Sequence, residues 1–331
     1  MLRNIKFGLL IIAASILVSC EEEIDLKLPP NDPELVIEGY LTDLDFYIPE
    51  GDLDCAGVLT VPREDILFAA GLASLFPIDS IEQEADYFPY NKVRLTTTAD
   101  YFSNSAPPAV SGAEVKLFEN GELVETLIED ASEAGVYRIT HNPDSSGTAM
   151  YHLEINALGK FYETTPELYE PVPPLLEVQA NYGPNFIGDS CGYFMSISTY
   201  ETPGLGNNMA WTYYINNEYQ ADPSDITVVS DENFDGACLF GFDVYGDYLE
   251  LGDTFVVFQM STSEGYLDFM TSLETQTANV GNSFDTPPEP ITGNLKNVTD
   301  GTKAFGYFNV GGISANLVIV PSDSSLIGDC P

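Results

Sequence analysis

The sequence predicts a mainly β fold, with an N-terminal immunoglobulin-like β-sandwich followed by a second antiparallel β domain that carries one packed helix. Short runs of β-branched and aromatic residues recur along the chain, and turn residues separate them. No helical crossover lies between most of these runs, which favours antiparallel sheets. Hydrophobic residues make up 44% of the 331 residues, so the chain can bury the cores of two domains.

Residues 1–19 form the first element, which we interpret as a lipoprotein signal peptide. Arg3 and Lys6 supply the basic start, the segment 7–18 is largely apolar, and Ser19 precedes Cys20. Twelve residues are too few to span a bilayer, which needs about 20. We therefore expect cleavage before Cys20 and attachment of lipid to this cysteine. The alternative is a leader that ordinary signal peptidase removes and that ends at a cysteine by chance.

Residues 20–33 form an acidic tether after the leader. Glu21, Glu22 and Glu23 follow Cys20 directly, and a solvated charged tether of either sign would hold a domain away from the membrane. The triplet also resembles the export signal of surface lipoproteins of the Bacteroidota. That resemblance implies an outer-membrane protein that faces the cell exterior, whereas the residues alone predict only a lipid anchor outside the cytoplasm.

Residues 34–168 are predicted to form the β-sandwich. Asn120-Gly121 is a strong hairpin signal, because both positions of a two-residue turn of this type require positive φ. Alternating runs on both sides of this turn complete the pattern of short strands. The expected strands are 34–42, 93–97, 114–119, 122–128, 136–140, 150–156 and 161–165.

An insertion at about residues 47–88 interrupts the sandwich and contains a predicted helix over 62–76. Pro62 suits a helix start, and Pro77 ends the helix. The helix is apolar nearly all round, whereas a surface helix has one apolar stripe. It could cap the sandwich, dock on a membrane-protein partner, or enter the lipid interface. The candidate docking residues are Ile66, Leu67, Phe68, Leu72, Leu75 and Phe76.

The proline-rich segment 166–174 is predicted to link the sandwich to a second domain over 175–331. In this second domain we expect one helix at about 263–276. The expected strands are 193–199, 209–215, 226–229, 239–244 and 254–260 before the helix, and 304–310 and 315–320 after it. Ser263 can cap that helix, and Tyr266, Leu267, Met270 and Leu273 form one apolar face that should pack on the sheet.

Charge and cysteine content limit the classes of partner and site. Acidic residues outnumber basic ones by 52 to 11, or by 52 to 9 without Arg3 and Lys6, and no basic cluster follows the leader. This excludes nucleic acid as a partner, because binding a polyanion requires Lys and Arg. In an oxidising compartment, Cys55, Cys191, Cys238 and Cys330 can form two disulfides, with three pairings open.

The sequence supplies no convincing catalytic or metal site, so we predict neither an enzyme nor a cofactor. Gly188-Asp189-Ser190-Cys191-Gly192 matches the G-x-S-x-G pattern, but a strand follows it instead of a helix. His141 and His152 both precede this motif in the chain and are expected to be ordinary strand residues. The chain therefore lacks the expected serine, acid and histidine order.

A weak calcium candidate remains at Asp231, Asn233 and Asp235, which alternate before Gly236 like the first half of a calcium loop. Phe242 occupies the position where such a loop needs a bidentate carboxylate. The alternative is a hairpin turn in which these side chains bond their own backbone.

Several segments together resemble a lipoprotein family of the Bacteroidota known as domain-of-unknown-function family 4249. The first segment is Cys20 to Leu26, followed by Glu34 to Gly39 and by 111–117. The second half contributes 251–253, 266–269, Pro287-Pro288, Gly293-Asn294 and 305–308. The resemblance covers nearly the whole mature chain except the insertion, and its motifs are framework motifs that locate no active site.

The resemblance implies a partner of a TonB-dependent outer-membrane receptor, which imports nutrients too large for porins. Our leading hypothesis is an accessory binding lipoprotein on such a receptor, with a ligand that the sequence does not identify. The alternative hypothesis is a structural or assembly subunit of an outer-membrane complex, or an adhesin. A deep apolar pocket with a few convergent polar groups would favour the first hypothesis, and a flat apolar face around 66–76 with no pocket would favour the second.

Overall fold

The computed structural model describes residues 32–43, 90–99, 105–184, 191–216, 218–220, 222, 225–277 and 291–321. From Pro33 onward these residues belong to one compact unit. They form 19 strands and one α-helix, so the mainly β prediction is confirmed. None of the helices in these ranges is long and apolar enough to cross a membrane.

The first sandwich consists of two sheets that share one core. One sheet has the order β18-β1-β2-β6-β5 and the other β17-β8-β7-β3-β4, with β9 beside β7. The strands are β1 (Leu35–Leu41), β2 (Lys92–Thr97), β3 (Glu114–Glu119), β4 (Glu122–Thr126), β5 (Ile128–Glu129), β6 (Val136–Arg138), β7 (Met150–Ala157), β8 (Lys160–Thr164), β9 (Glu167–Leu168), β17 (Leu295–Asn297) and β18 (Phe305–Val310).

Alternation of buried residues along the strands builds this core. In β3, Val115 and Leu117 are fully buried, and in β7 the same holds for Tyr151, Leu153 and Ile155. The predicted hairpin between β3 and β4 is present. Asn120 and Gly121 have φ of 51° and 83°, so both turn positions use the left-handed region as the Asn-Gly pair predicts.

The second sandwich pairs a three-stranded sheet, β10-β11-β15, with a sheet of order β13-β12-β16-β19, in which β14 also pairs with β12. Its core surrounds the fully buried Trp211. The strands are β10 (Glu177–Pro184), β11 (Cys191–Tyr200), β12 (Asn208–Ile215), β13 (Glu218–Gln220), β14 (Thr227–Val229), β15 (Cys238–Leu249), β16 (Thr254–Thr262) and β19 (Ile313–Ile319).

The helix α1 (Glu264–Thr277) lies within one residue of its predicted bounds. Ser263 caps it, because the Ser263 hydroxyl accepts a hydrogen bond from the Tyr266 N–H at 3.2 Å. The helix contacts β12, β14 and β18, as the predicted packing on a sheet requires, but no residue of the helix is fully buried. Its apolar face is therefore only half covered.

The predicted boundary between two consecutive domains needs correction. The segment 175–331 was expected to form one separate domain, but β17 pairs with β8, and β18 pairs in parallel with β1. The chain leaves the first sandwich at 169–174, builds most of the second, and then returns to the first. Strand periodicity shows that a strand exists, but it does not show which distant strand pairs with it.

Candidate functional site

An open cleft of about 480 Å³ lies where the returning chain meets the start of α1. Four segments form it: the short strand β9, the N-terminal turn of α1, the segment leading into β17, and β18. Eight of its ten lining residues have polar or charged side chains, and the other two are glycines. The lining residues are Thr165, Glu167, Ser263, Glu264, Gly265, Asp268, Thr292, Gly293, Asn294 and Tyr307.

Glu167 is the most buried carboxylate of the cleft, with only 7% of the residue exposed. Its Oε1 accepts a hydrogen bond from the Tyr307 hydroxyl at 2.6 Å and another from Asn294 Nδ2 at 3.2 Å. Within the described part of the chain, no hydrogen bond ends on the other oxygen, Oε2, which is also not sealed from solvent. One oxygen is thus fixed by the fold and the other stays available to the cleft.

Asn294 holds the returning chain in place through its side-chain amide. Its Oδ1 accepts from the Phe308 N–H at 2.9 Å, and its Nδ2 donates to the Phe308 carbonyl at 2.9 Å. The amide therefore replaces a strand partner for Phe308, while the same Nδ2 also reaches Glu167. This bonding pattern couples the position of β18 to the orientation of the Glu167 carboxylate.

Tyr307 connects β18 to the start of the helix. Its ring packs against Tyr266 and Phe269, with centroid distances of 5.3 Å and 5.5 Å. A Cβ at Gly265 would lie 2.5 Å from the Tyr307 hydroxyl oxygen, so only glycine permits the helix to approach this closely. The Ser263 Oγ lies 3.2 Å from the same hydroxyl. The helix N-terminus is therefore fixed against the cleft.

The hydroxyl groups of Tyr307 and Ser263 are both engaged in hydrogen bonds within the fold. Burial, and then the hydrogen bond with Glu167, raise the pKa of Tyr307, so its hydroxyl stays protonated at neutral pH. Ser263 contacts this neutral phenol, and its oxygen already accepts the helix-capping bond. Among the described residues, Ser263 Oγ forms hydrogen bonds with Tyr307 and Tyr266 and with no histidine or carboxylate.

The charge of the cleft is uniformly negative. Glu167, Glu264 and Asp268 line it, and none of the lining residues in the described ranges is Lys or Arg. None of these three carboxylates takes part in an ion pair with another described residue. Glu264 and Asp268 lie one helical turn apart, so both carboxylates are carried by the same side of α1.

The family model for the domain of unknown function DUF4249 matches residues 90–315, about two thirds of the chain. The chain belongs to the DUF4249 family. The match spans every lining residue of the cleft. No curated protein and no solved structure matches the chain.

Both described cysteines of this DUF4249 chain are disulfide-bonded, but not to each other. Cys191 begins β11, whereas Cys238 pairs with Tyr200 at the far end of that strand. Nine residues of strand separate the two positions by roughly 30 Å, and a disulfide requires Cα atoms within about 7 Å. One of the three pairings left open by the sequence is therefore excluded.

In the DUF4249 chain, two carboxylates of the calcium candidate accept hydrogen bonds from the loop 204–206. Asp231 Oδ2 accepts from the Gly206 N–H at 2.6 Å, and Asp235 Oδ1 accepts from the Gly204 N–H at 2.8 Å. Within the described ranges, no group of three or more His, Cys, Asp or Glu side chains is spaced to hold a metal. The side chain of Asn233 lies outside the described part.

The alternative prediction for this segment, a hairpin turn, is wrong. Residues 231–233 form a 3₁₀ turn between β14 and β15, which pair with different strands, β12 and β11. The aspartate side chains therefore bond the loop 204–206 and not their own turn, because the chain crosses from one sheet to the other at this point.

The two histidines occupy the outer part of the first sandwich. His141 Nε2 lies 2.9 Å from Glu119 Oε2, and the His152 ring stacks on Phe118 with centroids 4.8 Å apart. Neither histidine lines the cleft.

Several predicted site residues lie outside the described residues. They are Cys20, Glu21, Glu22, Glu23, Cys55, Cys330, the apolar helix residues Ile66, Leu67, Phe68, Leu72, Leu75 and Phe76, and Gly188, Asp189 and Ser190 of the G-x-S-x-G match.

Sequence reasoning missed the residues that build the cleft. Glu167 lies in the segment predicted to be a linker, and Asn294 and Tyr307 belong to framework motifs that locate no active site. The available signal was the concentration of Asn, Gly and Tyr in the two short motifs 293–294 and 305–308. Nothing in the local pattern showed that these motifs meet Glu167.

Proposed function

We propose that this chain is a non-catalytic binding lipoprotein of the outer membrane. In this proposal Cys20 carries the lipid, the acidic triplet directs the protein to the cell exterior, and the partner is a TonB-dependent receptor barrel. The leader sequence supports the anchor, and the resemblance to surface lipoproteins supports the location and partner.

The observation that carries a binding role is the polar cleft around Glu167. A carboxylate with one oxygen fixed and the other available is preorganised for a ligand, since little ordering is needed on binding. The Ser263 hydroxyl forms no hydrogen bond with a histidine or carboxylate among the described residues. We therefore assign the cleft to recognition and not to bond cleavage.

The test is copurification from the native host. The chain carries a C-terminal tag, the outer membrane is extracted in mild detergent, and the proteins recovered are quantified by mass spectrometry. We expect a TonB-dependent barrel in near-equal amount. Recovery of the chain alone, or with assembly factors only, would contradict the receptor role and favour the structural hypothesis.

Cys20→Ala provides the matched control for the anchor. The substitution removes the lipid attachment site and leaves the folded residues of the cleft unchanged. We expect this variant to leave the membrane fraction and to recover much less barrel. A variant that stays fully membrane-bound would contradict lipid anchoring at Cys20.

A further inference from the structure

We infer that the cleft around Glu167 binds an organic cation, through an ammonium or guanidinium group that contacts Glu167 Oε2. This inference names the ligand class of the proposed binding site and therefore rests on the proposed function.

The first step is the uncompensated charge of Glu167. Only 7% of the residue is exposed. Its two hydrogen-bond donors, the Tyr307 hydroxyl and Asn294 Nδ2, are neutral, and both contact Oε1. No ion pair formed by the described residues includes it. Burial of a carboxylate costs free energy that a cation at Oε2 would offset.

The second step is the charge around the entrance. Glu264 and Asp268 add two carboxylates on the start of α1, and no described lining residue carries positive charge. Anionic ligands would be repelled by all three groups. A cation would gain from all three, most strongly from the most buried one.

The ligand groups and the size of the cleft favour an organic cation over a metal ion. No described group of three His, Cys, Asp or Glu side chains, the cleft carboxylates included, is spaced to share one metal ion. The cleft of about 480 Å³ has room for a side chain or a small amine. The lining hydroxyl groups of Thr165 and Thr292 can accept the remaining N–H bonds of such a group.

The test is calorimetric titration of the full chain in mild detergent, at low and high salt. One probe is free spermidine, and the other is a neutral-flanked peptide, acetyl-Gly-Arg-Gly-amide. The same peptide with citrulline in place of arginine keeps the shape and removes the charge. Binding of spermidine alone would identify a free amine as the source of the cation, and binding of the peptide alone would identify a basic side chain.

The decisive variant is Glu167→Gln. Glutamine can keep Oε1 as acceptor for Tyr307 and Asn294, and it places an NH₂ group where Oε2 lies, so the fold should persist. We expect about tenfold weaker binding of the cation, since a charge-assisted hydrogen bond is lost. Asp268→Asn, on the exposed helix surface, should weaken binding about twofold. Glu274→Gln, the same charge change farther along α1, should leave binding unchanged.

The inference would be overturned if the citrulline and arginine peptides bound equally, or if neither cationic probe bound the native chain. It would also be overturned if the amines did not bind but calcium ions did, and if Glu167→Gln abolished that calcium binding. The receptor proposal is tested separately by copurification. A recovered barrel without cation binding overturns only the ligand class, and cation binding without a barrel overturns only the receptor role.

Discussion

Asn294→Ala should destabilise the protein by about 2–6 kcal/mol. The Asn294 amide satisfies both the N–H and the carbonyl of Phe308, at 2.9 Å each, and Asn294 is only 6% exposed. Alanine leaves two buried backbone groups without partners, and each such loss costs about 1–3 kcal/mol. The bond to Glu167 is lost as well, but Tyr307 still holds that carboxylate.

The assay is urea unfolding followed by circular dichroism and tryptophan fluorescence. Asn156→Ala is the matched control, because Asn156 is exposed and bonds only the exposed Glu114. We expect a change below about 0.5 kcal/mol for this control. A loss below about 1 kcal/mol for Asn294→Ala would refute the role of Asn294 in holding β18.

Three further predictions concern the backbone, the buried tyrosines and the disulfides. Gly306→Ala should abolish folding or lower the melting temperature strongly, since φ is 86° and a Cβ would lie 1.7 Å from the Ile37 carbonyl oxygen. The control Gly301→Ala, at a position with φ of 71° and open space around the added Cβ, should lower the free energy of unfolding by only about 1–2 kcal/mol. Equal effects of the two variants in a thermal melt would contradict this reasoning. Burial raises the pKa of Tyr151 to about 12. Stability should therefore be complete below pH 10 and fall between pH 10 and 12, because the unfolded state loses the phenolic proton first; unfolding midpoints that do not change over this range would disprove it. Peptide mapping without reduction should yield no link between Cys191 and Cys238, whereas such a link would show that the β11 and β15 register is wrong.

Local signals in the sequence predicted local structure well. The Asn120-Gly121 turn and the Ser263 cap each depend on residues close in the chain, and both are present. The strand β10 was missed because its pattern is weak, with Val178 its only fully buried residue. Strand prediction from alternation fails where a strand lacks an apolar face.

The cleft could not be predicted for a different reason. It requires β18 to return beside β1, which depends on pairing between residues about 270 positions apart, such as Val36 and Phe305. Only this return brings Tyr307 to Glu167. The mainly β class follows from composition and alternation, whereas the site follows from long-range topology that no local pattern encodes.

In its proposed role, this chain acts on the cell surface as a binding partner of a receptor barrel. Photo-crosslinking in living cells tests this role most directly, with a photoreactive residue placed at Glu264 on the rim of the cleft or at the exposed Glu232. We predict cross-linked peptides that join the chain to a TonB-dependent barrel. Cross-links within the chain but to no barrel, from either position, would contradict this role.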